Sequence, residues 1–335
     1  MSTHLAGSPA IVARDLVKTY PKDVRALDGL SIDVVEGETF GLLGPNGAGK
    51  STTVKILTTL TRPDSGSARV AGEDVRRRPE RVRRLIGVVS QRSGADPVAT
   101  GRQNLLLQGR LYRVPATSLR RRVDELLERF GLADAAGRTV RTYSGGMQRR
   151  LDVALGLVHR PRVLFLDEPT TGLDPEARAA MWEEIARLAR EERMTILLTT
   201  HYLDEADRLA DRLAIVDRGR VVASGTPEEL KGELRGDAVH IELADAEPAE
   251  TARAALADLP GVREVTVAGR RLSARADSGA ATVPVALAAL ERAGVRVATV
   301  SVARPSLDDV YLRHAGRRLT EAEAGAGLVT TGGVR

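Results

Sequence analysis

The chain has 335 residues, of which 42% are apolar and 28% charged, a balance typical of a globular protein with room for about two domains. Its longest uncharged stretch, Ser278 to Leu290, is shorter than the roughly 18 residues of a membrane span, and Met1 to Pro9 lacks the pattern of a secretory signal. The absence of cysteine excludes disulfides, Cys-ligated zinc and thiol catalysis, and we expect a cytosolic location.

The basic charge is a weak sign of a nucleic-acid partner. The formal net charge is +5, but arginine supplies nearly all of the basic residues and its runs lie among acidic residues, as on a solvated surface. Aromatic residues make up only 3% of the chain, too few to suggest platforms on which bases stack. We therefore expect no nucleic-acid partner.

The pattern of apolar residues separates three segments. Over residues 9–235, apolar strand-like runs alternate with helical stretches, which predicts an α/β domain with a largely parallel sheet. Residues 236–315 read as strand, helix, two strands, helix and strand, the order of a ferredoxin-like α+β domain. A short helix from Ser306 to His314 closes that domain, and residues 316–335 are expected to form a loose tail.

A glycine-rich loop follows the short apolar strand Thr39 to Leu43 and precedes a helix whose apolar positions extend to Leu60. The loop fits GxxxxGK[ST], in which glycines let backbone N–H groups surround phosphates and the lysine faces the β and γ phosphates. The alternative is a glycine turn that only caps a helix. The predicted nucleotide-binding residues are Gly44, Pro45, Asn46, Gly47, Ala48, Gly49, Lys50, Ser51 and Thr52. The Ser51 hydroxyl is also placed to hold Mg²⁺.

Carboxylates and a histidine follow two further apolar strands. The run Val163 to Leu166 ends in Asp167 and Glu168, at the edge of the sheet where ligand sites lie. Asp167 is then placed to bind the Mg²⁺ shell, and Glu168 to accept a proton from the water that attacks the γ-phosphate. His201 follows the run Thr195 to Thr199 and could contact the same phosphate. Helix capping by the carboxylates and a purely structural histidine are the alternatives.

A second phosphate-binding pattern lies in the middle of the chain. Ser144, Gly145 and Gly146 precede a predicted helix, and the N-terminus of a helix favours an anion. One chain cannot easily surround one ATP with both patterns, so two chains paired head to tail around two nucleotides are expected. Tyr20, ahead of the glycine-rich loop, could stack on adenine or be an ordinary core or surface residue.

The ordered set of motifs resembles the ATP-binding subunit of ABC transporters, with a P-loop core, a β-rich N-terminal part and a helical insert at about residues 92–158. The loop at 44–51 resembles Walker A, and the run Val163 to Asp167 Walker B with Glu168 as the catalytic carboxylate. The resemblance also implies a role for each remaining motif. Gln91 would be the Q-loop, which senses Mg²⁺ and the γ-phosphate, and Ser144 to Met147 would be the signature. Asp174 would be the D-loop, His201 the switch histidine and Tyr20 the A-loop aromatic.

Two departures from the usual signature narrow the resemblance. Tyr143 and Met147 stand where leucine and glutamine are usual, and together with Ser-Leu-Asp-Asp-Val-Tyr-Leu at Ser306 to Leu312 they are similar to the daunorubicin-resistance type of bacterial ABC ATPase. This resemblance implies Mg·ATP as the substrate, a second copy of the chain, a separate membrane subunit of about six helices, and export of a drug or other hydrophobic compound. The chain would then lie on the inner face of the cell membrane.

Three alternatives stay open at this point. An importer is possible because the membrane subunit largely sets the direction of transport. An ABC-type ATPase that acts on ribosomes or DNA is disfavoured by the single ATPase core and by the absence of cysteine and of a long heptad insert. The C-terminal domain either braces the dimer or contributes to docking or to the response to substrate.

Overall fold

The structure, a computed structural model, describes residues 9–234, 236–245, 248–303, 305–316 and 319. These residues form two compact units. The first runs to Pro227 and also includes Leu319, and the second begins at Glu228. The tail predicted at 316–335 lies outside the described residues, apart from 316 and 319.

The first unit contains ten strands and seven helices among its described residues. The strands are β1 (Pro9–Tyr20), β2 (Val24–Val35), β3 (Thr39–Leu43), β4 (Ser65–Val70), β5 (Glu73–Asp74), β6 (Ile86–Val89), β7 (Val163–Asp167), β8 (Thr195–Thr200), β9 (Arg212–Asp217) and β10 (Arg220–Gly225). The helices are α1 (Lys50–Leu57), α2 (Pro79–Leu85), α3 (Gly101–Leu111), α4 (Ala116–Arg129), α5 (Gly145–Leu157), α6 (Pro175–Glu192) and α7 (Leu203–Leu209).

The first unit is built on two sheets. An antiparallel sheet of order β2-β1-β4-β5 forms the β-rich N-terminal part, as the sequence predicts. The second sheet has the order β10-β9-β3-β8-β7-β6, in which all neighbours are parallel except β9 and β10. The predicted α/β class is therefore confirmed.

The parallel sheet lies between two hydrophobic cores, which explains why its central strands are apolar on both faces. Along β7, Phe165 packs in one core, whereas its neighbours Leu164 and Leu166 pack in the other. Along β8, Leu197 and Leu198 alternate in the same way. Because successive side chains of a strand point to opposite faces, a strand covered by helices on both faces has no polar face.

The helices α3, α4 and α5 occupy the stretch predicted as a helical insert, together with a 3₁₀ turn at Val140–Thr142. One helix prediction was wrong. Helix α1 ends at Leu57, and Leu60, expected on its apolar face, is exposed. The hydroxyl of Thr58 donates to the Val54 carbonyl at 2.8 Å, and Thr59 adopts a φ of 66°, a backbone conformation that cannot continue the helix.

The second unit has the predicted order of strands and helices. Helix α8 (Pro227–Gly232) crosses the boundary and is followed by β11 (Asp237–Leu243), α9 (Ala249–Ala257), β12 (Val262–Ala268), β13 (Arg271–Ala276), α10 (Gly279–Arg292), β14 (Val297–Ala303) and α11 (Leu307–Ala315). The sheet order β12-β13-β11-β14 is antiparallel throughout and matches the split βαβ arrangement. The ferredoxin-like prediction is confirmed. Among the described residues, no helix has the length and apolar character needed to cross a membrane.

A largely buried ion pair fixes the start of α11 in the second unit. Asp309 accepts hydrogen bonds from the backbone N–H and the hydroxyl of Ser306, the helix N-cap, at 2.9 and 2.8 Å. Its carboxylate also lies 3.3 Å from the guanidinium of Arg275 on β13, a side chain that is itself buried. Loss of the carboxylate would leave a buried arginine without its counter-charge, and such losses are strongly destabilising.

We predict that Asp309→Ala lowers the free energy of unfolding of the second unit by about 3 kcal/mol, because Arg275 loses its buried partner. The matched control is Asp245→Ala, which removes an exposed pair with Arg296 in the same unit and should cost less than about 1 kcal/mol. Native-state hydrogen exchange across β13 and α11 measures both effects. Equal losses from the two substitutions would contradict the role given to the buried pair.

Candidate active site

The chemistry-bearing residues meet because three parallel strands end at one edge of the sheet. In the register of the sheet, Leu43 of β3 lies opposite Thr200 of β8, and Asp167 of β7 lies opposite Thr199. The glycine-rich loop leaves β3 at this edge, Glu168 follows β7, and His201 follows β8. The register therefore brings the loop, both carboxylates and the histidine to one place.

The loop after β3 needs glycine at two positions where backbone atoms approach closely. A Cβ on Gly44 would lie 2.2 Å from the Val216 carbonyl oxygen, and a Cβ on Gly49 would lie 2.6 Å from that of Ala26. Gly49 also has a φ of 112°, a backbone conformation that residues with a side chain rarely adopt. It precedes α1, which begins at Lys50 without a side-chain cap and without an acidic residue in its first turn. The N–H groups at this helix end suit an anion.

Lys50 is a buried cation at the base of the loop. Its side chain is only 4% exposed, and its ammonium donates to the carbonyl oxygens of Gly44 at 2.5 Å and Pro45 at 3.1 Å. The same ammonium lies 3.7 Å from Oε1 of Glu168. The loop therefore wraps around its own lysine, and the charge of the lysine is balanced by the carboxylate at the end of β7.

Asp167 is held by two hydroxyl groups from different elements. Its Oδ1 accepts from the hydroxyl of Ser51 on α1 at 3.2 Å and from that of Thr199 on β8 at 2.6 Å. Within the described residues, no group of three or more His, Asp or Glu side chains is arranged to hold a metal. A metal here would take one carboxylate and one hydroxyl from the protein, a set that suits Mg²⁺ because it keeps several waters and phosphate oxygens as ligands.

Glu168 is the most heavily contacted carboxylate at this edge. It is 8% exposed, its Oε1 lies 3.4 Å from Nδ1 of His201, and its Oε2 accepts from the Gln91 amide at 3.2 Å and the Thr171 hydroxyl at 3.3 Å. The interaction with His201, and after it the charge of Lys50, lowers the pKa of Glu168 against the opposing effect of burial. The group is therefore a carboxylate at neutral pH.

The backbone at Glu168 adopts an uncommon conformation that is tied to the neighbouring strand. Its φ is 49°, in the left-handed region, where a residue other than glycine is uncommon. Its N–H donates to the carbonyl oxygen of Thr199 at 3.2 Å and lies 3.1 Å from the hydroxyl of the same residue. Uncommon backbone conformations cluster at functional sites, where surrounding contacts hold them in place.

The second predicted phosphate-binding pattern forms an exposed helix end in the first unit. Ser144 is the N-cap of α5 and accepts from the backbone N–H of Met147 at 3.3 Å, while Gly145 and Gly146 form its first turn. Asp174 caps α6 in the same way by accepting from Ala177 N–H at 2.8 Å. The hydrogen bonds of Ser144 and Asp174 are therefore local.

Tyr20 and Gln91 lie at the ends of strands. Tyr20 ends β1, is half-buried, and lies with its ring 5.7 Å from the ammonium of Lys18. Gln91 follows β6 by two residues and contacts Glu168 rather than Ser51 or Asp167. The roles of Tyr20 as an adenine platform and of Gln91 as a metal ligand stay predictions.

Two residues that shape the site were not predicted from the sequence. Thr199 holds both carboxylate residues through the contacts given above, but it reads only as part of an apolar strand. Arg149 reads as one of two consecutive arginines, yet its guanidinium is buried against the backbone of the site. A usable signal was present, since Arg149 and Asp152 lie three residues apart on a helix face that is otherwise apolar.

Comparisons with known proteins show the family and the fold. A family model described as ABC transporter matches residues 27–171, and a model for the C-terminal domain of DrrA1-3-like ATP-binding proteins matches residues 225–315. Among solved structures, cbiO1 from Clostridium perfringens, part of the ABC transporter complex cbiONQ, is 29% identical with a TM-score of 0.61 and covers 67% of this chain and 91% of its own. The dimeric ATP-binding cassette MJ0796 bound to ADP and Pi is 26% identical with a TM-score of 0.59, over 64% of this chain and 98% of its own.

Curated relatives match almost the full length of the chain. Daunorubicin resistance ATP-binding protein DrrA3 of Streptomyces coeruleorubidus is 49% identical over 90% of this chain and 95% of its own. Daunorubicin/doxorubicin resistance ATP-binding protein DrrA of Streptomyces peucetius is 47% identical over 92% of both chains. Nod factor export ATP-binding protein I of Ralstonia nicotianae is 39% identical over 95% of this chain and 97% of its own. The chain therefore belongs to the ATP-binding proteins of ABC transporters, in the group of the daunorubicin and doxorubicin resistance ATPases.

Proposed function

We propose that the chain is the ATP-hydrolysing subunit of an ABC exporter, which closes as a head-to-tail dimer around two Mg·ATP and drives efflux of a drug or other hydrophobic compound through a separate membrane subunit. The observation that carries this proposal is the convergence of Lys50, Gln91 and His201 on one buried carboxylate, that of Glu168. The names of the relatives support the direction and the class of compound.

The P-loop would bind the phosphates of ATP. The uncapped N-terminus of α1 directs backbone N–H groups toward the edge of the sheet, and Lys50 would exchange its two carbonyl partners for the β and γ phosphates. Tyr20 would stack on the adenine. The remaining contacts would come from the loop residues Gly44, Pro45, Asn46, Gly47, Ala48, Gly49, Ser51 and Thr52.

Mg²⁺ fits the oxygen donors found beside the P-loop. A bound Mg²⁺ would neutralise negative charge on the β and γ phosphate oxygens. The hydroxyl of Ser51 and the carboxylate of Asp167, 3.2 Å apart, would hold the ion, with Asp167 acting through water and Gln91 completing the set. Thr199 orients Asp167 for this task through its hydrogen bond to Oδ1.

Glu168 would accept the proton of the water that attacks the γ-phosphate. Its lowered pKa keeps the carboxylate ionised, as a general base must be, and the contacts with His201 and Gln91 fix its direction. His201 would also contact the γ-phosphate. When ATP is bound, Lys50 would move from Glu168 toward the phosphates. Glu168 would then lose a neighbouring positive charge, and its basicity would rise.

The second half of each site would come from another copy of the chain. The helix N-terminus formed by Ser144, Gly145, Gly146 and Met147 is exposed at Ser144 and Gly145 and half-buried at the other two residues. The exposed Asp174 caps the next helix. Such an end binds phosphate, and pairing two chains head to tail would place it opposite the P-loop of the partner copy. The similar cassette MJ0796 is dimeric with ADP and Pi bound.

The chain would couple hydrolysis to transport at the inner face of the cell membrane. We assign residues 9–235 to the ATP-binding domain, with a helical subdomain at about 92–158 that passes motion to a membrane subunit of about six helices, and Gln91 as its hinge. Residues 236–315 would be an accessory domain that braces the dimer or takes part in docking, and 316–335 a tail. The similar protein cbiO1 is part of the ABC transporter complex cbiONQ, which supports the presence of a membrane partner.

We predict that Glu168→Gln slows ATP hydrolysis by about 10² to 10⁴, because the amide keeps the shape of the side chain but removes the base. ATP binding should stay tight, and the dimer should persist in Mg·ATP. Turnover assays and analytical ultracentrifugation measure these effects, with Glu183→Gln, an exposed residue of α6, as the control. Near-normal turnover of Glu168→Gln would overturn its assignment as the base.

An affinity purification of Glu168→Gln from native membranes in Mg·ATP tests the transport proposal. We expect a multi-helix membrane protein in roughly equal amount, because the trapped ATP state holds the dimer against its partner. The wild-type chain purified without nucleotide is the control. Recovery of ribosomes, nucleic acid or only the chain itself would contradict the transporter assignment.

A further inference from the structure

Helix α5, which begins at the signature, carries two buried ionisable side chains on one face. Arg149 is 7% exposed and Asp152 is 6% exposed, and they stand at positions i and i+3 of the helix. Burial lowers the pKa of Arg149 and raises that of Asp152, which reflects the cost of removing both charges from water. Such side chains persist in an interior only when specific hydrogen bonds compensate their burial.

The guanidinium of Arg149 donates to four backbone carbonyl oxygens. Its Nε donates to Pro169 at 2.6 Å, and its Nη2 donates to Asp167 and Glu168, each at 3.2 Å. Its Nη1 donates to Ser90 at 2.5 Å. Three of these carbonyls belong to the segment that carries the two site carboxylates, and the fourth belongs to the residue before Gln91. The planar fork of arginine can reach several acceptors at once, which the single ammonium of lysine cannot do.

Asp152 holds the segment that follows Gln91. Its Oδ1 accepts from the hydroxyl of Ser93 at 2.8 Å and from the backbone N–H of Gly94 at 3.1 Å. One face of α5 therefore fixes the chain before Gln91, through Arg149, and after it, through Asp152. Gln91 in turn donates to Glu168, whose backbone is held by the same Arg149.

We propose that Arg149 is a positioning residue that locks Gln91 and Glu168 to the signature helix, so that the placement of α5 sets the geometry of the carboxylate that receives the proton. The inference rests on the proposed function, because it assigns Glu168 the role of base. Within the described part of the chain, the hydrogen bonds of Arg149 all go to backbone carbonyls, so it would act through Glu168 and Gln91 and not on the nucleotide. Arg149 would therefore connect helix α5, which would contact the ATP held by the partner copy, to Glu168, which would act on the ATP held by its own chain.

The test compares Arg149→Lys with Arg150→Lys in the full chain, by steady-state hydrolysis of Mg·ATP. Arg150 lies on the same helix, but its guanidinium donates to the Phe130 carbonyl at 3.1 Å. We expect Arg149→Lys to lower kcat by about tenfold to a hundredfold with KM changed by less than about threefold, since misplacing a catalytic group by 1 Å is this costly and the P-loop is untouched. Arg150→Lys should stay within about twofold of wild type in both constants.

Two further measurements separate positioning from a general loss of structure. In a Glu168→Gln background, Arg149→Lys should cause no further loss of residual hydrolysis, because the group that it positions is already inactive. Asp152→Ala releases the chain that follows Gln91, and it should lower kcat in the same way without raising KM. If circular dichroism shows that Arg149→Lys does not fold, Asp152→Ala takes its place.

The outcomes distinguish this inference from the function on which it rests. Near-normal turnover of Glu168→Gln would defeat the proposed function. A slow Glu168→Gln together with normal kcat in Arg149→Lys and Asp152→Ala would defeat the positioning role alone. A loss by Arg149→Lys that is equally large with and without Glu168 would also overturn it, because the effect would then not pass through the carboxylate.

Discussion

The first unit depends on the requirement that a buried carboxylate be fully partnered. Glu168 is almost inaccessible to water, and removing a charge from water costs several kcal/mol unless opposite charge and hydrogen bonds replace the solvent. The partners come from four separate places in the chain: Lys50 in the P-loop, Gln91 after β6, Thr171 before α6 and His201 after β8. Thr171 lies three residues after Glu168, but the other three partners come from segments that are far apart in the sequence, and holding one charge brings these segments together.

The same constraint connects the nucleotide site to the helical part of the first unit. Arg149 brings a positive charge beneath the segment that carries Asp167 and Glu168, and it donates to four backbone carbonyls there and before Gln91. The uncommon φ of Glu168 is held between this guanidinium and the backbone of Thr199. In the proposed function Lys50 would leave Glu168 for a phosphate, and every other partner of Glu168 would then carry more of the charge compensation.

The sequence predicted those features whose patterns are local. Fully apolar runs at β3, β7 and β8 indicated buried parallel strands, and the residues that follow them had to meet at one sheet edge. The spacing of Arg149 and Asp152 on an otherwise apolar helix face indicates that Arg149 is buried. It does not predict where the guanidinium lies, because contacts to backbone carbonyls leave no pattern in the sequence. The early end of α1 was missed because it depends on the Thr58 hydroxyl and the backbone of Thr59, whereas the apolar spacing continues to Leu60.

In the proposed function, ATP held by the P-loop of one chain engages the signature helix of another and is sensed at Gln91. Hydrogen exchange of the Glu168→Gln full chain, measured with and without Mg·ATP, tests this arrangement. We expect slower exchange at residues 44–52, 90–94 and 144–149 together when Mg·ATP is added. Protection confined to residues 44–52, with the other two segments unchanged, would contradict it.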